Sequence, residues 1–184
     1  MYHFRVYGDS RLLTLPGVAV YASRQAPEAV MSAATAFFHH LMKLPIAIGG
    51  GWQSPLEKRL LQSWEEHDAA GIIFFLAKSY AAFTLTGRLK QAIGAGQLAV
   101  VEPAVSSERI QRQGVEIRDR LMEDLLSRHL FLYIHPGGRL QARCKHLLNA
   151  GKQVFLFNHP ANAEFFHSGA ILVDRQTLPL HFAG

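Results

Sequence analysis

The stretch Leu130-Phe-Leu-Tyr-Ile-His-Pro-Gly-Gly-Arg139 brings together the residue types that an anion site needs. Its continuous apolar run fits a strand covered on both faces, and Pro136 blocks further pairing. Gly137 and Gly138 allow positive φ and close backbone approach, with Arg139 beside them and a helical pattern over Leu140 to Leu148. A helix that opens just after glycines presents unpaired N–H groups and the positive end of its dipole, which suits a phosphate. Read without a ligand, Pro-Gly-Gly is a tight strand-to-helix turn.

A second unit repeats the arrangement. Pro45-Ile-Ala-Ile48 reads as a short strand closed by Gly49, Gly50 and Gly51. Ser54-Pro55-x-Glu57 then supplies the N-cap, the first-turn proline and the acid of a helix running to about His67. Trp52 lies inside this glycine turn, where its ring could stack on a base or plug the core beneath. Other polar residues follow apolar runs: Ser23 and Arg24 after Val18–Ala22, Lys78 after Gly71–Ala77, and Asn158 after Gln153–Phe157. A guanidinium at Arg24 offers a bidentate fork to phosphate oxygens. Arg118 and Arg120 fall on different faces of a helix, so at most one of them is expected to reach the same ligand.

The elements that must position these residues follow from periodicity. A first strand is expected within Tyr2–Tyr7, an amphipathic helix over Pro27–Leu41, a helix over Phe83–Ile93, a strand at Leu98–Glu102 stopped by Pro103, a helix over Arg109–Ser127 and a short strand within Ala170–Asp174. Strands alternating with helices predict an α/β fold, a single Rossmann-like three-layer domain with a mostly parallel sheet. Its expected parts are a leader or extra strand at 1–16, a core at 17–173 and a tail at 174–184. Ligands of such sheets sit beyond the carboxyl ends of the strands, where Ser23, Arg24, Gly49 to Gly51, Lys78, Pro136 to Arg139 and Asn158 all fall. The sequence contains neither G-x-G-x-x-G nor G-x-x-x-x-G-K-[ST], which disfavours a dinucleotide enzyme or a P-loop ATPase.

Composition sets the outer bounds. A chain of 184 residues with 49% hydrophobic content can bury one good core. The formal charge of +5 and a pI near 9.6 fit anionic partners without choosing among nucleic acid, nucleotide and membrane surface. Cys144, the single cysteine, cannot form an internal disulfide, fits a reducing cytoplasm and reads as a core thiol. No apolar run reaches transmembrane length, and Pro16-Gly17 interrupts the apolar opening, so no membrane association is expected. His159 and His167 lack a carboxylate or cysteine at ligand spacing; no metal and no cofactor is expected. His39 and His40 lie near a helix C-terminus, where the dipole favours imidazolium.

Four segments carry a family resemblance. Val18-Ala-Val-Tyr-Ala-Ser-Arg24, Ile46 to Ser54, Arg118-Asp-Arg120 before a strand, and Gly151-Lys-Gln-Val-Phe-Leu-Phe-Asn-His-Pro160 resemble, in order, the Rossmann core of the DNA-processing protein A (Smf) family. Ala22 stands where the family has the glycine of Gly-Ser-Arg, and Asp119 where it has the asparagine of Arg-Asn-Arg. The resemblance implies a nucleotide or single-stranded nucleic acid as partner and no catalysis of its own, and because sheet proteins of this kind often pair through an edge or a helix, a cytoplasmic homodimer is expected. The same superfamily holds the "Lonely guy" phosphoribohydrolases, whose signature is Pro-Gly-Gly-x-Gly-Thr-x-x-Glu. Here Pro136-Gly-Gly138 is followed by Leu140, Gln141 and Cys144 at the glycine, threonine and glutamate positions. Glycoside cleavage needs a placed carboxylate, so hydrolysis becomes the alternative, with Glu57 as a relocated acid. A third reading is an oligomeric scaffold that binds no phosphate.

Overall fold

The computed structural model describes residues 3–65, 67–104 and 107–182. One sheet contains β1 (Phe4–Gly8), β2 (Gly17–Ala22), β3 (Ala47–Gly50), β4 (Gly71–Phe75), β5 (Leu98–Pro103), β6 (Arg128–Tyr133), β7 (Gln153–Phe157) and β8 (Ile171–Val173). The helices are α1 (Glu28–Leu41), α2 (Pro55–Ser63), α3 (Gly87–Gly94), α4 (Arg112–Leu125), α5 (Arg139–Asn149) and α6 (Leu178–Phe182). Strand order is β1-β5-β4-β3-β2-β6-β7-β8, parallel throughout except for β1 against β5. This is the expected α/β architecture. Tyr2, the expected start of the first strand, lies outside the described residues.

Side-chain alternation along the strands builds two apolar layers. In β2, Val18, Val20 and Ala22 face a core that α1, α2 and α3 cover through Phe38, Leu60 and Leu89. Ala19 and Tyr21 face the opposite core, closed by Leu121 and Met122 of α4 and Leu140 and Leu147 of α5. The chain winds outward from β2 to β5, then returns through α4 to place β6 on the other side of β2. Strand order therefore reverses between β2 and β6, the position at which doubly wound sheets open a crevice. The register shifts there: Tyr21 pairs with Phe131 but Ala22 with Tyr133, which leaves Leu132 as an extra residue at the strand's carboxyl end.

Several elements are shorter than periodicity suggests, each for a tertiary reason. α2 ends at Ser63 instead of running to about His67, because Trp64 turns into the core and donates its indole N–H to the Ala70 carbonyl at 3.0 Å. α3 starts at Gly87 instead of Phe83. Upstream of it, Tyr80 stacks on Tyr7 at 3.7 Å and Phe83 packs on Phe74, which holds the segment in a tight turn. Gly49 and Gly50 belong to β3 and do not form the turn expected of them. A Cβ at Gly49 would meet Leu126 at 2.5 Å and Phe75 at 2.8 Å, so packing between sheet and helix demands the glycine. α6 was not anticipated; Leu178 and Phe182 bury it, and the Asp174 carboxylate accepts the N–H groups of Gln176 and Thr177 at its start.

Candidate functional site

A cleft of about 970 Å³ opens at the reversal point. The end of β2, the residues after β3, the outer half of α4 and the first turns of α5 line it. Ser23 joins the two central strands: its N–H donates to the Tyr133 carbonyl and its Oγ accepts from the His135 N–H, both at 3.0 Å. Arg24, exposed, projects from the same turn. Arg112, Arg118, Arg120, Arg139 and Arg143 line the cleft from α4 and α5, against the carboxylates of Glu57, Glu116 and Asp119.

Asp119 and Glu123 lie one turn apart on α4, and Arg139 and Arg143 one turn apart on α5. The two pairs meet. Asp119 Oδ1 accepts from Nε and Nη2 of Arg118 at 3.0 and 2.6 Å, and its Oδ2 accepts from Arg139 Nη1 at 2.7 Å. Arg143 bridges Glu123 at 3.2 Å and also donates to the Asp119 carbonyl. His146 reaches the same Glu123 oxygen at 3.2 Å. The Arg118 and Asp119 side chains are only 10% and 8% exposed, whereas that of Arg139 is 59% exposed. The buried members hold the frame, and Arg139 turns its remaining donors outward.

The expected binding residues divide on this map. Ser23, Arg24, Gly51, Arg118, Arg120, Gly138 and Arg139 all line the cleft. Arg118 and Arg120 both line it in different settings: Arg118 is buried with its guanidinium 2.7 Å from where a Gly51 Cβ would sit, and Arg120 is exposed. Lys78 does not line it; its ammonium donates to the Ala82 carbonyl, and β3 separates its strand from β2. Asn158 is tied to Asp174 at 3.3 Å beyond β7, also outside the cleft. Gly49 and Gly50 are buried strand residues. Trp52 is a core plug, 3% exposed, whose indole N–H donates to the Ile73 carbonyl at 3.0 Å, so it offers no face to a base.

The Pro136–Gly138 turn differs from an open phosphate cradle. Gly137 has the positive φ expected, 71°. Its N–H is already taken by Gln141 Oε1 at 2.7 Å, and that of Gly138 by the His135 carbonyl at 2.9 Å. Pro136 is exposed and does not line the cleft. The turn serves the site by setting the start of α5 and the position of Arg139.

Asp119 is expected only as a motif position and Glu123 and Arg143 not as ligand residues, although the i, i+4 spacing of both pairs is visible in the sequence. Tyr21 lines the cleft from below, and behind it Tyr21 Oη lies 3.2 Å from His129 Nδ1 while the Tyr21 ring stacks on Phe131. Burial pulls the His129 imidazole down to about 3 and pushes the Tyr21 phenol above its ordinary value, so both stay neutral near pH 7. Glu57 is equally committed. Its Oε1 accepts from the Ala22 N–H at 3.1 Å, and its Oε2 from the N–H groups of Gln53 and Ser54 at 2.7 and 3.1 Å. With Ser54 Oγ capping in return, the carboxylate closes a capping box. Among the described residues no group of three histidine, cysteine or acidic side chains is arranged to hold a metal ion, and no helix is long and apolar enough to cross a membrane. The arrangement suits holding an anion.

Two solved structures share this architecture. DNA processing protein A from Streptococcus pneumoniae matches over 97% of this chain and 66% of its own, with a TM-score of 0.74 and 16% identity. DNA processing protein A from Helicobacter pylori, described with a unique single-stranded DNA binding mode, matches over 95% of this chain and 84% of its own, with a TM-score of 0.71 and 16% identity. The chain thus spans just under two thirds of the streptococcal protein. No protein-family model and no curated protein matches the sequence. The chain has a Rossmann core of the DNA processing protein A type, and at this identity the likeness is one of fold.

Proposed function

We propose that this core binds the phosphates of a single-stranded nucleic acid or nucleotide in the arginine-lined cleft, without catalysis. The carrying observation is the Arg118–Asp119–Arg139 network, which fixes cations beside the reversal point while Arg24 approaches from the opposite strand. Guanidinium groups held in advance lose little freedom on meeting a phosphate, and the start of α5 adds the favourable end of its dipole. The binding of single-stranded DNA by the Helicobacter pylori protein supports the same ligand class. Engagement of both Glu57 oxygens by backbone donors ties up the acid expected to serve a hydrolase, which disfavours that alternative.

A thermal-shift screen against nucleoside monophosphates and short oligonucleotides tests the reading. A ligand present at about a hundred times its dissociation constant stabilises the fold by about 2.7 kcal/mol. A clear rise in Tm with oligonucleotide, and no free base released from AMP, CMP, GMP or UMP, is the expected result. Absence of any shift with every phosphate compound contradicts the proposal, and turnover abolished by Glu57→Gln would make the chain a hydrolase.

A further inference from the structure

We infer that phosphate binding in the cleft is proton-linked through His146: acid charges its imidazole and gives the cleft one further cation for a phosphate. The inference rests on the phosphate reading above and adds the regulation of that site. Arg139, Arg143 and His146 stand four and three residues apart, in one stripe along α5, and all three line the cleft. Two carboxylates of α4 face the stripe: Asp119 bridges Arg139 at 2.7 Å and Glu123 bridges Arg143 at 3.2 Å. Each arginine of the stripe thus has its own carboxylate. His146 has to share one, since its Nε2 lies 3.2 Å from Glu123 Oε2, the oxygen that Arg143 already uses.

Histidine is the side chain whose charge ordinarily changes between about pH 5 and 8. While His146 is neutral, Glu123 and Arg143 balance each other. A proton on the imidazole sets two cations on one carboxylate oxygen, and the surplus charge stands at the cleft wall. The groups around the pair do not absorb it. Lys152 donates its ammonium to the Glu123 carbonyl at 3.0 Å, Lys145 precedes His146 on α5, and Arg120 lines the cleft from α4. Asp119 is already held by Arg118 as well as Arg139, and Glu116 is paired with Arg112 at 3.0 Å. A phosphate is the anion that compensates the added charge, so affinity rises as pH falls. Reciprocity then requires that a bound phosphate raise the proton affinity of His146 by the same factor.

Fluorescence anisotropy with a labelled oligothymidylate, titrated over a range of salt at about pH 8 and about pH 5.5, tests the link. One further phosphate neutralised in acid should steepen the slope of log affinity against log salt by about 0.7, so the ratio of the two affinities grows about five-fold for each decade of salt removed. The two slopes should coincide in His146→Asn, a change at a side chain that is 59% exposed and therefore spares the core. His135→Asn, which removes the other histidine lining the cleft, should keep the difference between them. In the wild type the His146 imidazole resonances should titrate at a higher pH with the oligomer bound than without it. Equal wild-type slopes at the two pH values, a difference that survives in His146→Asn, or an imidazole titration unmoved by the oligomer overturns the proton link while leaving phosphate binding in place. Failure of the oligomer to bind at either pH would remove the phosphate reading itself, and the inference with it.

Discussion

The two glycine-containing turns of this chain look alike in sequence and behave oppositely in the fold. After β3, Gly51 to Ser54 is sealed from within: Glu57 takes the N–H groups of Gln53 and Ser54, and Trp52 fills the core beneath. After β6, the Pro136–Gly138 turn is satisfied by small local bonds and leads to Arg139, which points outward from the start of α5. A glycine run thus says little about an anion site. Internal acceptors take the donors in both turns, and the difference is that the second presents an exposed cation.

The largest expected effect breaks the sealed turn. Trp52→Ala removes a fully packed indole and should destabilise the protein by about 4 kcal/mol in urea unfolding. Trp52 has a φ of 52°, in the left-handed region that favours glycine. Trp52→Gly should therefore lose about 1 kcal/mol less than Trp52→Ala, since it relieves backbone strain while losing the same ring. If the two variants unfold at the same urea concentration, the backbone there is unstrained. Next comes Glu57→Ala, which strands three backbone donors around the cap and should cost about 3 kcal/mol. A cost below about 0.5 kcal/mol would mean that water satisfies those donors and the turn is not sealed.

Acid unfolding gives an intermediate effect from the core behind the cleft. The His129 imidazole is held near 3 by burial, whereas the unfolded chain protonates near 6.5. Between those values the unfolded state binds the extra proton, so the contribution of this residue is fully present above about pH 6.5 and declines as pH falls toward 3. The slope from this one group approaches about 1.4 kcal/mol per pH unit. His129→Phe should flatten the stability curve in that window. A curve of unchanged slope would show that the imidazole protonates as readily in the fold as in the open chain. The smallest stability effect belongs to the second turn: Arg139→Ala removes a cation whose side chain is 59% exposed and leaves Asp119 held by Arg118, and should change unfolding free energy by less than about 1 kcal/mol.

Much of the fold was legible. Continuous apolar runs located the parallel strands because both faces of the sheet are covered, and the Ser54–Glu57 pattern marked the start of α2 correctly because capping is local chemistry. The site was less legible, for two reasons. Strand ends tell where ligand chemistry gathers along the strand axis but not where it falls across the sheet. Lys78 and Asn158 thus lie at the carboxyl-end level of the sheet but follow β4 and β7, to either side of the β2–β6 reversal. The Asp119–Arg139 and Glu123–Arg143 pairs link residues about twenty positions apart, and nothing in either helix alone announces that they meet. Gly49 was misassigned for the same kind of reason: Leu126 and Phe75, distant in sequence, are what exclude a side chain there.

The central claim, that phosphates are held at the β2–β6 reversal by cleft arginines, is tested most directly by the salt dependence of oligothymidylate binding. Wild type, Arg24→Ala, Arg139→Ala and Lys78→Ala are titrated over a range of salt concentrations, and the slope of log affinity against log salt is compared. Each cleft arginine that neutralises one phosphate should reduce the slope by about 0.7 when removed, while Lys78→Ala, whose cation is engaged with Ala82 away from the cleft, should keep the wild-type slope. Slopes unchanged in both arginine variants and reduced in Lys78→Ala would contradict the claim and move the phosphate track to the β4 side of the sheet.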